Sequence, residues 1–169
     1  YTVAQIIDRI SSKVPRLKKE DLQAALDSGK VPSSLKPPDQ PSYEGLLFPA
    51  TYDIDDSDSA VDVLSVMAAE METRVQALGL EDAQAHIKQQ WGLDLSGYDL
   101  LKVASMIQYE AAVPADAPKI GAVTYNRLEA GMPLQYDSTS IYEAGLTGKG
   151  PDDVDYDADT PYNTRTNTG

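Results

Sequence analysis

The sequence contains no cysteine. Disulfides, thiol nucleophiles and zinc–thiolate sites are excluded at once. There is one histidine, His86, in the polar stretch EDAQAHIKQQ. With no second imidazole and no obvious nucleophile partner, it offers neither a histidine metal site nor a Ser-His-Asp arrangement. Basic residues are scarce: 14 Lys and Arg stand against 27 Asp and Glu, a net charge of −13. Such a surface repels nucleic-acid phosphates and anionic lipid headgroups, and no basic stripe reverses it locally. No apolar run reaches the roughly 18 residues that would cross a bilayer. No signal-peptide pattern opens the chain. Tyr1 stands where an initiator methionine would, so the expectation is a fragment of a longer protein.

What is present is ordinary for a folded chain. The 169 residues are 41% hydrophobic and 24% charged, enough for a real core. The simplest organisation is a single domain over 1–169, with 1–95 as support and 96–169 as the part that carries chemistry.

Local signals mark the elements. Thr2 can cap a helix whose face is Val3, Ile6, Ile7 and Ile10, with Pro15 just beyond its end. A short helix from Lys19 to Ser28 closes at Gly29. The proline-rich stretch from Val31 to Ser42 is a loop, and YEGLLFPATYDI, from Tyr43 to Ile54, reads as extended. Asp53, Asp55, Asp56 and Asp58 form an acidic turn without the glycine and terminal glutamate of a calcium loop. Ser59 with Asp62, and Ser96 with Asp99, have capping-box spacing. The first opens a helix to about Leu78 with Val63, Val66, Met67, Met71, Val75 and Leu78 inward, ended by Gly79. Asp82 to Gln90 is amphipathic, and Trp91 follows as a packing anchor or a sugar-stacking ring. A helix from Lys119 to Ala130 presents Ile120, Val123 and Leu128 and closes at Gly131. Asn126 and Arg127 flank that face, as a cap and a surface ion pair in the plainest reading. Asp137 or Ser138 could cap a short helix with Ile141 and Tyr142, and five aspartates from Asp152 to Asp159 mark a solvated loop.

The helix opened by Ser96 carries the least ordinary feature. Leu100, Val103, Ile107 and Glu110 follow at helical spacing and share one face. A glutamate held among apolar side chains has its pKa raised, and one still protonated near neutral pH can act as a general acid. The alternative is a solvated glutamate in the last turn, and spacing alone leaves both open.

Four segments together resemble the MltG/YceG-like family of endolytic murein transglycosylases. They are YEGLLFPATY (43–52), ASMIQYEA (104–111), YNRLEAGMPLQYDSTSIY (125–142) and TPYNTRTNTG (160–169). The resemblance implies cleavage of nascent peptidoglycan glycan strands between N-acetylmuramic acid and N-acetylglucosamine. The product would end in 1,6-anhydro-N-acetylmuramic acid, which terminates strand growth. It implies a catalytic domain outside the bacterial cytoplasmic membrane, held by a single N-terminal helix, with peptidoglycan synthases (penicillin-binding proteins) as partners. Position by position, the catalytic glutamate is Glu110, while the motif's first acidic position is Gln108 here. Tyr136 departs from the usual Thr or Ser, and Arg165 replaces a tyrosine. Asn126, Gln135, Asp137, Tyr142, Tyr162, Asn163 and Thr164 would place the sugars or orient Glu110, and Glu44 would be a second partner or a helix cap. No cofactor and no metal are implied. Two other classes stay open: a two-carboxylate hydrolase pairing Glu110 with Glu44 or Asp137, and a non-catalytic glycan-binding module. The expected fold is α+β, mostly helical, with a small β-sheet from the Tyr43 and Gln135 regions. Helices near 100–112 and 119–130 should frame a cleft with Glu110 on its wall.

Overall fold

The structure is a computed structural model that describes residues 1–168. It is about 55% helical. The helices are α1 (Val3–Lys13), α2 (Lys19–Asp27), α3 (Ala60–Ala77), α4 (Leu80–Trp91), α5 (Gly97–Glu110), α6 (Ala117–Glu129) and α7 (Asp137–Leu146). The chain divides into two compact units, Tyr1–Glu81 and Asp82–Gly169. Among the described residues, no helix is long and apolar enough to cross a membrane.

In the first unit, helix starts follow their caps. Thr2 and Gln5 bond reciprocally at the start of α1, and Ser59 and Asp62 do so at α3. α2 packs against both α1 and α3. Leu22, Leu46 and Leu64 are fully buried, with Val31 beside them in the core. Val66 and Leu78, expected inward, are 55% and 86% exposed. Val66 lies on a part of α3 that packing leaves uncovered, and Leu78 is the C-cap, one residue past the helix. The acidic turn is closed locally: the backbone N–H of Asp55 donates to the Asp58 carboxylate at 2.8 Å, and Arg16 donates to the carbonyls of Asp55 and Asp58.

The expected small sheet is absent among the described residues, and neither contributing region is a strand. Gly45 turns the Tyr43 segment with φ +76°, and Leu46 N–H closes that turn on the Tyr43 carbonyl at 3.0 Å. Pro49 removes a donor further along. The segment instead docks on α3, where Phe48 N–H donates to the Met67 carbonyl at 3.1 Å. Its Tyr43 hydroxyl donates to the Val31 carbonyl at 2.5 Å. Near Gln135 only one isolated antiparallel bridge forms, between Pro133 and Thr168.

In the second unit, α5 packs against α6 and α7. Its start is fixed by the second capping box. Ser96 N–H and Oγ donate to the Asp99 carboxylate at 2.9 and 2.6 Å, and Asp99 N–H donates back to Ser96 Oγ at 3.1 Å. Burial alone would raise the Asp99 carboxyl. Hydrogen bonds from Lys102, the Ser96 hydroxyl and the Ser96 backbone outweigh it and hold the carboxyl below the usual aspartate value. A depressed carboxyl stabilises the fold above its unfolded pKa and loses that contribution as pH falls through the folded one. We therefore expect Ser96→Ala to cost about 1 kcal/mol at pH 7 and less below about pH 4. Urea unfolding of the two proteins across pH 3 to 7 checks this.

Candidate active site

Helix α5 ends on the residue of interest. Leu100 and Val103 are buried, while Ile107 and Glu110 are half-buried. Glu110 thus sits at the boundary of the apolar face and not within it. The helix stops there because Ala111 is extended (ψ 102°), and Pro114 and Pro118 follow in the connection to α6. Among the described residues the Glu110 side chain has no hydrogen bond or ion pair, so its carboxylate is available to a ligand.

Helices α5 and α6 do frame a cleft, together with α4. The α4 backbone makes no close approach to either, and the space left between them is about 720 Å³. Ala83, Ala104, Ala111, Ala117 and Ala122 keep that space open, and Gly121 lies at its floor. At Gly121 the two helices meet: an added Cβ would stand 3.4 Å from Ile107 Cδ1, an ordinary contact with a flexible side-chain end. Gly121→Ala is therefore expected to raise stability by up to about 1 kcal/mol through helix propensity, read as a higher Tm.

One end of the cleft is aromatic. The Trp91 and Tyr125 rings lie 5.0 Å apart, and His86 meets Trp91 edge-on at 6.3 Å. Trp91 Nε1 donates to Asn126 Oδ1 at 2.7 Å, so Asn126, in the last turn of α6, holds this ring. Burial pushes the Tyr125 hydroxyl above its ordinary pKa. Gln108 and Ala111 line the cleft, and Glu110 is not among the lining residues. At about 100° per residue, Glu110 comes about 60° from Ile107 around α5, at the edge of the arc that faces the cleft.

Gln135, Asp137, Asn163 and Thr164 meet on a second structure, a clasp between residues 133–139 and 163–165. Gln135 N–H donates to the Thr164 carbonyl at 2.8 Å, and Tyr136 N–H donates to Thr164 Oγ1 at 2.9 Å. Thr139 and Thr164 hydroxyls lie 3.2 Å apart. Tyr136, where Thr or Ser is usual, reaches back to α6: its hydroxyl is 2.6 Å from that of buried Thr124. Asp137, in the first turn of α7, pairs with Arg165 at 2.5 Å. That carboxylate raises the Arg165 guanidinium further, and the guanidinium lies over the Tyr156 ring. Tyr142 and Tyr162 pack on each other at the surface, 5.7 Å between centroids. Asn163 is 1% exposed, and its side chain bonds only to backbone. Glu44 belongs to the first unit, where it accepts from Val3 N–H at 2.8 Å and caps α1.

Arg127 was legible only as a surface cation. It makes no ion pair among the described residues. Its Nη1 donates to the carbonyls of Pro133 and Leu134 at 3.1 and 2.7 Å and to Gln135 Oε1 at 3.0 Å. The signal in the sequence was the turn at Gly131 (φ +62°), which folds the next residues back under the last turn of α6.

The model of the YceG-like family matches residues 1–169, the full chain. The chain belongs to that family. Endolytic murein transglycosylase from Bacillus subtilis (strain 168) is 35% identical over 175 residues, covering all of this chain and 44% of that protein. A protein of the same name from Streptococcus pneumoniae (strain D39) is 35% identical over 131 residues, 75% of this chain and 22% of that one. Among solved structures, a YceG-like protein from Listeria monocytogenes matches with a TM-score of 0.71 at 28% identity, over all of this chain and 57% of that one. The YceG-like chain thus spans less than half the length of these curated relatives. Among its described residues no group of three or more His, Asp or Glu side chains could hold a metal ion.

Proposed function

We propose that this YceG-like chain is the catalytic part of a lytic murein transglycosylase with Glu110 as its single acid–base residue. The observation that carries the reading is the match, over the whole of this chain and 44% of the relative, to an endolytic murein transglycosylase. The placement of Glu110, half-buried at the end of α5 and without a competing partner, supports it. In this reading Glu110 first gives its proton to the glycosidic oxygen as the bond from C1 of N-acetylmuramic acid breaks. The resulting carboxylate then takes the proton of the 6-hydroxyl as O6 bonds to C1. One proton passes from O6 to the leaving oxygen by way of Glu110, and no water is consumed. Asp137 is held by Arg165 and Glu44 by an α1 N–H, so neither stands ready as the second carboxylate of a hydrolase. The acidic surface gives the wall polymer no bulk attraction, so stacking and directed hydrogen bonds must hold it. The same reading extends to strand termination beside peptidoglycan synthases, by a protein anchored in the bacterial cytoplasmic membrane.

The test is the mass of the ends made from uncrosslinked glycan strands. Anhydro-ended fragments support the lyase. Reducing ends, heavier by one water, would replace it with a hydrolase. Binding of the strands without cleavage would leave a glycan-binding module.

A further inference from the structure

Gln135 is the one non-glycine residue among those described with positive φ, at +60°. A side chain in this left-handed region is held there against a cost, and such residues persist only where the surroundings over-determine them. Here the determinants are visible. The Gln135 N–H is fixed to the Thr164 carbonyl at 2.8 Å, and its Oε1 accepts from Arg127 Nη1 at 3.0 Å. The same guanidinium ties down the two preceding carbonyls at 3.1 and 2.7 Å. The fold could have used glycine here, as it does at the turns of Gly29, Gly79 and Gly131. It keeps a glutamine whose side chain is exposed.

Arginine settles which way that amide faces. A guanidinium has donors only, so the atom it meets must be the oxygen. The Nε2 group is then turned away from Arg127, and among the described residues it has no hydrogen-bond partner. We propose that Arg127 is a positioning residue that holds Gln135 with its Nε2–H donors outward, aimed at an oxygen acceptor on the bound glycan. This rests on the glycan reading of the site. It adds the polarity of the contact: the protein donates and the sugar accepts. It also adds a residue that acts through another without touching the substrate.

Two substitutions at 135 separate this from a structural role. Gln135→Gly removes the backbone strain and the donor together. Gln135→Glu keeps an oxygen for Arg127 but has no N–H. If the residue were only structural, glycine would be harmless and glutamate, with a charge-assisted bond to Arg127, would be as good or better. We expect the glycine variant to melt at or up to about 4 °C above the parent. Both variants should lose about tenfold or more in kcat/KM on uncrosslinked glycan strands, because a polar acceptor is left unpaired in the bound state. Arg127→Lys should lower kcat/KM in the parent and have less than about a twofold effect in the Gln135→Gly background, as expected for two residues acting as one unit. The affinity of the same strands for Glu110→Gln proteins with and without Gln135→Glu is read in parallel. If the parent does not cleave, the lyase reading fails, and a tenfold loss of affinity still supports the inference. Full kcat/KM or affinity in either 135 variant overturns it, as does an equal effect of Arg127→Lys in both backgrounds.

Discussion

Glu110→Gln should lower anhydro-end formation by about a thousandfold or more while leaving the fold intact. A positioned acid–base group contributes roughly 10² to 10⁴ in rate, and here one side chain would serve both proton transfers. A thousandfold loss corresponds to about 4 kcal/mol on the barrier. Glutamine is isosteric and replaces a half-buried side chain with no partner among the described residues, so the unfolding free energy should move by no more than about 0.5 kcal/mol. The pair of readouts is what makes the result informative, because a loss of activity with an unchanged melt assigns the defect to chemistry. The departure at Gln108 supplies the control. Two helix residues are about 200° apart, so a carboxylate moved to 108 would enter the α4–α5–α6 cleft instead of the edge where Glu110 sits. Gln108→Glu placed on Glu110→Gln should restore nothing. Restored cleavage would shift the catalytic register by two and remove Glu110 from the mechanism. Cleavage by Glu110→Gln at more than a tenth of the parent rate would remove it as well.

The features readable in advance were those decided within a few residues. Both Ser-x-x-Asp boxes open helices as their spacing indicates, and Gly29, Gly79 and Gly131 follow helix ends with positive φ. In each case the partners that satisfy the orphan N–H groups are local. The small sheet failed for a local reason, the turn at Gly45 and the donor missing at Pro49, and for a non-local one. Aromatic and β-branched residues favour strands only where a neighbouring strand is offered, and α3 was offered instead, through the Phe48–Met67 bond. Val123 shows the same limit within the second unit. It shares the periodicity of Ile120 yet is 51% exposed, because periodicity says which residues share a face and not how much of that face is covered. Spacing placed Glu110 on the face of Leu100, Val103 and Ile107, but its half-buried state was not legible. Whether the last turn of α5 is inside or outside depends on where α6 and α7 stop covering it.

The clasp was the least legible part, and Asn163 shows why. As a polar residue beside Tyr162 in a polar motif, it read as an equal candidate for binding sugar. Its Nδ2 donates instead to the carbonyls of Tyr156 and Ala158 at 3.0 and 2.7 Å, and its Oδ1 accepts from Arg165 N–H at 3.0 Å. Three backbone groups of one loop depend on this amide, and it is 1% exposed. Asn163→Ala should therefore cost about 3 kcal/mol, about 1 for each bond lost. Asn163→Asp should cost more at pH 7, because both donors go and a carboxylate then faces two carbonyl oxygens. The two variants part on acidification. A buried carboxyl facing acceptors is stabilised in its protonated form, which raises its folded pKa above the unfolded one. The Asp penalty is then full at high pH and shrinks as pH falls through the folded value, when the acid regains one donor. The Ala penalty has no such dependence. Urea unfolding of both variants at pH 7 and pH 5 reads this directly. If the Asp protein is at least as stable as the Ala protein at pH 7, the amide does not hold the loop. Thr164 follows Asn163 and fixes Gln135 N–H, so the loop's order passes one residue along to the clasp. Cleavage should accordingly fall in both variants in the order of their stability, whereas a residue that only bound sugar would lose activity without loosening the fold.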